Sequence, residues 1–62
     1  MEMQEYIQRL KQIREEKKMS MAEVAVRLGF SEQYLIMVEL NEVIPSEKHL
    51  EKIAEFVINE IN

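Results

Sequence analysis

The stretch SMAEVAVRLGFSEQYLIMVEL, residues 20–40, decides the fold, because it holds two short helix patterns around one glycine. Ser20 and Ser31 stand where helix N-caps belong, and Glu23, three residues after Ser20, predicts a capping box. Gly29 stands where a left-handed residue ends the first of the two helices. Two short helices joined by a three- to four-residue turn that contains glycine form a helix-turn-helix.

Helix patterns also flank this stretch on both sides. Apolar residues recur at helical spacing before it, at Tyr6, Ile7, Leu10 and Ile13. After Pro45 and the cap Ser46 they recur again, at Leu50, Ile53, Ala54, Val57 and Ile61. No strand pattern or repeat is visible. The sequence therefore predicts an all-α, compact four-helix domain over residues 1–62, with helices near 3–17, 21–28, 32–40 and 46–60.

Composition excludes several classes of protein. The 62 residues include no cysteine, so neither a disulfide framework nor a thiolate metal site can supplement the small core. The first residues lack the basic start and apolar run of a signal peptide. The longest apolar run, residues 35–38, is too short to span a bilayer. We expect a cytoplasmic protein without a membrane partner.

Charge is distributed unevenly along the chain. The net charge of −4 divides into +1 over residues 1–30 and −5 over residues 31–62. No lysine or arginine occurs between Arg27 and Lys48. An acidic segment repels phosphate, which argues against nucleic acid as a partner of the second half.

Nothing in the sequence points to catalysis. His49 is the single histidine and no cysteine accompanies it, whereas a metal site needs several ligands. We therefore expect His49 to be an exposed residue in the first turn of the last helix. The glutamates form no cluster with a base, a nucleophile and an orienting partner. The expectation is a protein that is not an enzyme, with no metal, no cofactor and no small-molecule substrate.

The order and spacing of several short segments between Leu10 and Val57 resemble the Cro/C1-type helix-turn-helix family, also called the xenobiotic-response-element family. The matching segments are Ile13 to Ser20, Glu23-Val24-Ala25, Leu28 to Ser31, Tyr34-Leu35, Val38-Glu39, Pro45-Ser46 and Leu50 to Ala54. The resemblance implies a phage-repressor-like domain. Since the sequence ends at Asn62, we expect the fifth helix that commonly follows in the family to be absent.

The resemblance also implies a DNA-binding surface. In the family the third helix enters the major groove, which would assign base reading to Glu32, Gln33, Tyr34, Ile36 and Met37. The start of the second helix, at Ser20 and Met21, and the stretch from Asn41 through Val43 to Ile44 would contact the phosphate backbone. Taken alone, Gln33 is compatible with a bidentate hydrogen bond to adenine or with simple solvation. Glu32 is compatible with accepting a hydrogen bond from cytosine or with complementing the positive end of the helix dipole.

A second implication of the resemblance is structural. It pairs Arg14 with Glu39, which would tie the first helix to the third. A bidentate arginine–carboxylate pair crosslinks two helices in a domain that has little core.

Apolar residues occupy part of the expected DNA surface, and they keep a second function open. Successive helix residues point about 100° apart, so a third helix cannot bury all of its apolar residues on one face. Leu35 and Val38 match core positions, which leaves Ile36 and Met37 as the expected exposed pair, beside Met21 and Val43. Exposed apolar patches usually mark protein contacts.

Two functions therefore stay open. The chain is either a transcriptional regulator that binds duplex DNA through the third helix, or a degenerate helix-turn-helix whose former DNA face binds a regulatory protein. The second class includes an antirepressor, an adaptor and a homodimer module. We place DNA slightly first, with Lys17 and Lys18 as residues that could contact phosphate.

The last helix indicates self-association. Ile53, Val57 and Ile61 share one face, and we expect Phe56 and Ile58 to lie off it. Apolar groups on two faces, without a fifth helix to cover them, predict a homodimer through helix four.

Overall fold

The computed structural model describes residues 2–61, and these residues form four α-helices. The helices are α1 (Met3–Glu16), α2 (Met21–Leu28), α3 (Glu32–Glu39) and α4 (Glu47–Ile61). Each bound lies within one residue of its predicted position, and residues 2–61 contain no strand. The predicted all-α fold is confirmed. The outermost positions of the predicted domain, Met1 and Asn62, lie outside the described residues.

Three of the helices have a serine as N-cap. Ser20, Ser31 and Ser46 each accept a hydrogen bond from the backbone N–H three residues on, at 3.1 to 3.2 Å. The prediction of a full capping box at the start of α2 is wrong. The carboxylate of Glu23 faces along the helix instead, with one oxygen 3.7 Å from Nη2 of Arg27, one turn further on.

Left-handed residues end three helices in the same way. Lys18 after α1, Gly29 after α2 and Asn41 after α3 have φ angles of 54°, 75° and 60°. In each case the next backbone N–H bonds a carbonyl five residues back, at 2.8 to 2.9 Å, as in the Schellman motif. The three helices therefore turn sharply, and only one of the three turns uses glycine.

One apolar core joins all four helices. Its buried side chains among residues 2–61 are Ile7, Leu10, Met19, Val24, Ala25, Leu28, Leu35, Val38, Ile53, Phe56 and Val57. The expectation that Phe56 lies off the buried face of α4 is wrong. Phe56 is three residues from Ile53, so it shares the buried stripe. Ile58 and Ile61 are 49% and 56% exposed, and the predicted homodimer contact through α4 now rests on these two residues.

Candidate functional site

An ion pair fixes the end of α3 to α1. Nε and Nη2 of Arg14 donate to the two carboxylate oxygens of Glu39, each at 2.9 Å. The Glu39 side chain is 4% exposed and that of Arg14 is 17% exposed. The hydrogen bond to Glu39 raises the pKa of Arg14, against the opposing effect of burial. The two charges therefore face each other, and Glu39 does not project its charge from the surface of α3.

A cluster of three rings fixes the start of α3 to α4. The rings of Phe30, Tyr34 and His49 meet edge to face, with centroids 5.0 to 5.1 Å apart. Nδ1 of His49 lies 2.9 Å from the hydroxyl of Tyr34. The expectation of an exposed His49 is wrong, since His49 is half-buried. A lone histidine at the surface could not be distinguished by sequence from one that packs against aromatic residues distant in the chain.

The remaining polar residues of the predicted surface lie open to solvent. Glu32 and Gln33, in the first turn of α3, are exposed, and so is Asn41 after its end. Ser20 is exposed as well, but its hydroxyl already accepts the N–H of Glu23. Tyr34 is half-buried and engaged with His49, so Glu32 and Gln33 are the polar side chains of α3 that are freest to contact a ligand.

The apolar residues of this surface differ from the expectation. Ile36 and Met37, predicted to be the exposed pair, are half-buried, as are Met21 and Val43, which pack against the core. The strongly exposed apolar side chains of this surface belong to the residues that come after the end of α3.

Leu40 is 59% exposed and Ile44 is 83% exposed. The reason is that α3 ends at Glu39 and the left-handed Asn41 turns the chain away, which leaves Leu40 and Ile44 with fewer neighbours than residues within the helix.

A second ion-pair cluster joins the ends of α1, α2 and α4. Glu60 accepts hydrogen bonds from Lys17 Nζ and, at 2.9 Å, from Arg27 Nη1. The hydrogen bond from Lys17 and the charges of both cations lower the pKa of Glu60. Sequence reasoning missed this cluster because its members are 33 and 43 residues apart.

This cluster changes the charge of the helix-turn-helix. Arg27 is the one cation in residues 20–44 of the sequence, and it is paired with Glu60. Between Arg27 and Lys48 the chain therefore carries the exposed Glu32 and Glu42 and no lysine or arginine.

Other kinds of site find no support in the described part of the chain. Across residues 2–61, no three His, Asp or Glu side chains come together as a metal site would require. Over the same residues, no helix combines the length and the apolar character needed to cross a membrane. A shallow depression runs along α1 between Glu5 and Glu15, away from α3.

Comparison with known families identifies the class of protein. A family model described as helix-turn-helix matches residues 10–57, which is most of the chain. The chain belongs to the Cro/C1-type helix-turn-helix family, whose members are DNA-binding regulatory domains rather than typical enzymes. Comparisons with curated proteins and with solved structures give no match.

Proposed function

We propose that the chain is a small transcription regulator that binds duplex DNA through α3. The observation that carries the proposal is the helix-turn-helix itself, in which the first turn of α3 presents Glu32 and Gln33 to solvent. The major groove admits one α-helix, where glutamine can pair with adenine and glutamate can accept from cytosine.

The attachment of α3 supports this function. Arg14 bonds Glu39, the last residue of α3, and His49 bonds Tyr34 in the first turn of α3. A helix fastened near both ends keeps its side chains in a defined position, which lowers the entropy lost on binding.

Affinity for DNA depends mainly on cations that contact phosphate. Lys18, beside the start of α2, and Lys48 and Lys52, in α4, are exposed lysines near the motif, and Nζ of Lys52 lies close to Gly29 in the turn. With so few cations near the motif, binding should be weak at physiological salt and measurable at low salt.

The test is a fluorescence anisotropy titration of a labelled random-sequence duplex at low salt. Met37→Lys adds a cation to α3 and should tighten binding, with the salt slope steeper by about one. Val26→Lys is the matched control, because Val26 is 79% exposed on α2 and the charge change is the same. Absence of duplex binding by the wild type and by Met37→Lys at low salt would refute the proposal.

A second candidate function is that the α3 surface binds a regulatory protein. The exposed Leu40 and Ile44, and the lack of any lysine or arginine between Arg27 and Lys48, favour this function. Here Met37→Lys should weaken association with the partner and leave the fold intact, the opposite of its effect on DNA binding. If Met37→Lys changes neither kind of binding, neither DNA nor the partner contacts α3 at Met37.

A further inference from the structure

The chain that leaves α3 carries an apolar surface, here named the loop patch and defined as Ile36, Leu40, Val43 and Ile44. Leu40 lies one helical turn after Ile36, and its N–H bonds the Ile36 carbonyl at 3.0 Å, so their side chains are neighbours. Leu40 and Ile44 are among the most exposed large apolar residues of residues 2–61. Ile36 and Val43 are half-buried and connect them to the folded domain.

The exposed charges that flank the loop patch in the sequence are mainly negative. Glu32, Glu42 and Glu47 are exposed before, within and after it. Glu39 is neutralised by Arg14, and the next cation along the chain is Lys48. The patch is therefore an apolar centre with a border along the sequence of net negative charge, three exposed glutamates against Lys48.

An apolar patch among acidic residues favours one of three possible ligands: duplex DNA, a second copy of the chain, or a basic helix of another protein. A phosphate backbone would face carboxylates, and a second copy of the loop patch would bring equal charges against each other. An amphipathic helix with apolar residues on one face and lysine or arginine beside them matches both the centre and the border.

We propose that the loop patch docks a basic amphipathic helix of a partner protein. The proposal deepens the second candidate function and rests on it. Because Ile36 belongs to both α3 and the loop patch, a helix seated there would keep α3 out of a DNA groove. Docking and duplex binding through α3 should then exclude each other.

The experiment uses a synthetic peptide of about 18 residues, roughly five helical turns, with leucine and lysine at amphipathic spacing. A peptide of the same composition in scrambled order, without an apolar face, is the control. The ¹⁵N-labelled protein is titrated with each peptide, and the amide shifts give the affinity and the residues contacted. The amphipathic peptide should bind saturably and shift resonances of residues 36–44.

Matched variants separate docking from general attraction between opposite charges. Leu40→Lys and Ile44→Lys should weaken the amphipathic peptide about tenfold or more, as loss of a central apolar contact does. Val26→Lys changes the net charge equally at an exposed apolar site outside the patch and should weaken it much less. Ile44 is 83% exposed, more than Leu40 at 59%, so its variant tests the proposal even if Leu40→Lys folds poorly.

Several results would overturn the proposal. The amphipathic peptide could fail to bind saturably at millimolar concentration, or the scrambled peptide could bind equally well. Val26→Lys could weaken peptide binding as much as the patch variants do, or the amide shifts could be confined to residues outside 36–44. The random duplex, titrated separately and then in competition with the peptide, reports on the DNA function. Duplex binding without peptide binding would refute only the docking inference, and peptide binding without duplex binding would refute only the DNA proposal.

Discussion

Two ion-pair clusters hold the helices of this domain, and they differ in burial. Arg14 and Glu39 join α1 to α3 with side chains that are 17% and 4% exposed. Glu60 joins the helix ends through Lys17 and Arg27, whose side chains are 48% and 52% exposed. Water hardly reaches Glu39 in the buried pair, whereas it reaches both cations of the exposed cluster. The same chemistry is therefore structural at Glu39 and only supportive at Glu60.

The largest expected effect comes from breaking the buried pair. Glu39→Ala leaves Arg14 partly buried without its carboxylate, which costs about 3–5 kcal/mol for a deeply buried pair. Small domains have about 0.05–0.15 kcal/mol of stability per residue, so this variant should be close to unfolding. Urea denaturation followed by circular dichroism measures the loss. A midpoint equal to that of the wild type would contradict the structural role of the pair.

The double variant Arg14→Met with Glu39→Met controls for the stranded charge. It removes both charges together and keeps apolar bulk at both positions, so it should lose less stability than Glu39→Ala. If the double variant is as unstable as Glu39→Ala, packing rather than the unpaired arginine explains the loss.

Breaking the exposed cluster should have a smaller effect that depends on salt. Glu60→Gln removes the charge that pairs with Lys17 and Arg27, and its loss of stability should be well below that of Glu39→Ala. At about 1 M salt, where the screening length is about 3 Å, the difference from the wild type should nearly vanish. Thermal melts at low and high salt give the comparison, and a loss that is independent of salt would place Glu60 with the buried pair.

Acid should also lower the stability of the protein, because it protonates Glu60 in the exposed cluster. The hydrogen bond from Lys17 and the nearby cations hold the pKa of Glu60 below its ordinary value of 4.5. The stability from this group is therefore complete above pH 4.5 and is lost as the pH falls through the lower pKa of the folded protein. Melting temperatures from pH 6 downwards should fall less steeply for Glu60→Gln than for the wild type. Identical slopes would show that Glu60 does not link folding to pH.

The smallest expected effects come from the left-handed residue that follows each cluster. Lys18 follows Lys17, and Asn41 lies two residues after Glu39, with φ angles of 54° and 60°. A left-handed residue with a side chain costs about 1–2 kcal/mol, and glycine loses about 0.5–1 kcal/mol more backbone entropy, so Lys18→Gly should gain roughly 0.5–1 kcal/mol. Asn41→Gly should gain less, because asparagine tolerates this conformation. Denaturant midpoints rank the two variants, and an equal or reversed order would contradict the assignment of strain.

The sequence by itself determined the helices and their ends. Ser20, Ser31 and Ser46 act within three residues of the N–H groups that they cap, and Gly29 needs no distant partner to adopt a left-handed conformation. These interactions are local, so their pattern can be read along the chain. The ordered segments between Leu10 and Val57 likewise carried the resemblance to the family, and the family match covers the same residues.

Only the tertiary structure decided which side chains remain available to a partner. Glu60 pairs with Lys17 and Arg27, and Tyr34 pairs with His49, across separations that no local pattern encodes. Periodicity predicted exposed residues within α3, whereas the exposed apolar residues follow its end, at Leu40 and Ile44. The physical reason is that exposure and charge pairing depend on the packing of all four helices together, while capping and helical spacing depend on a single turn.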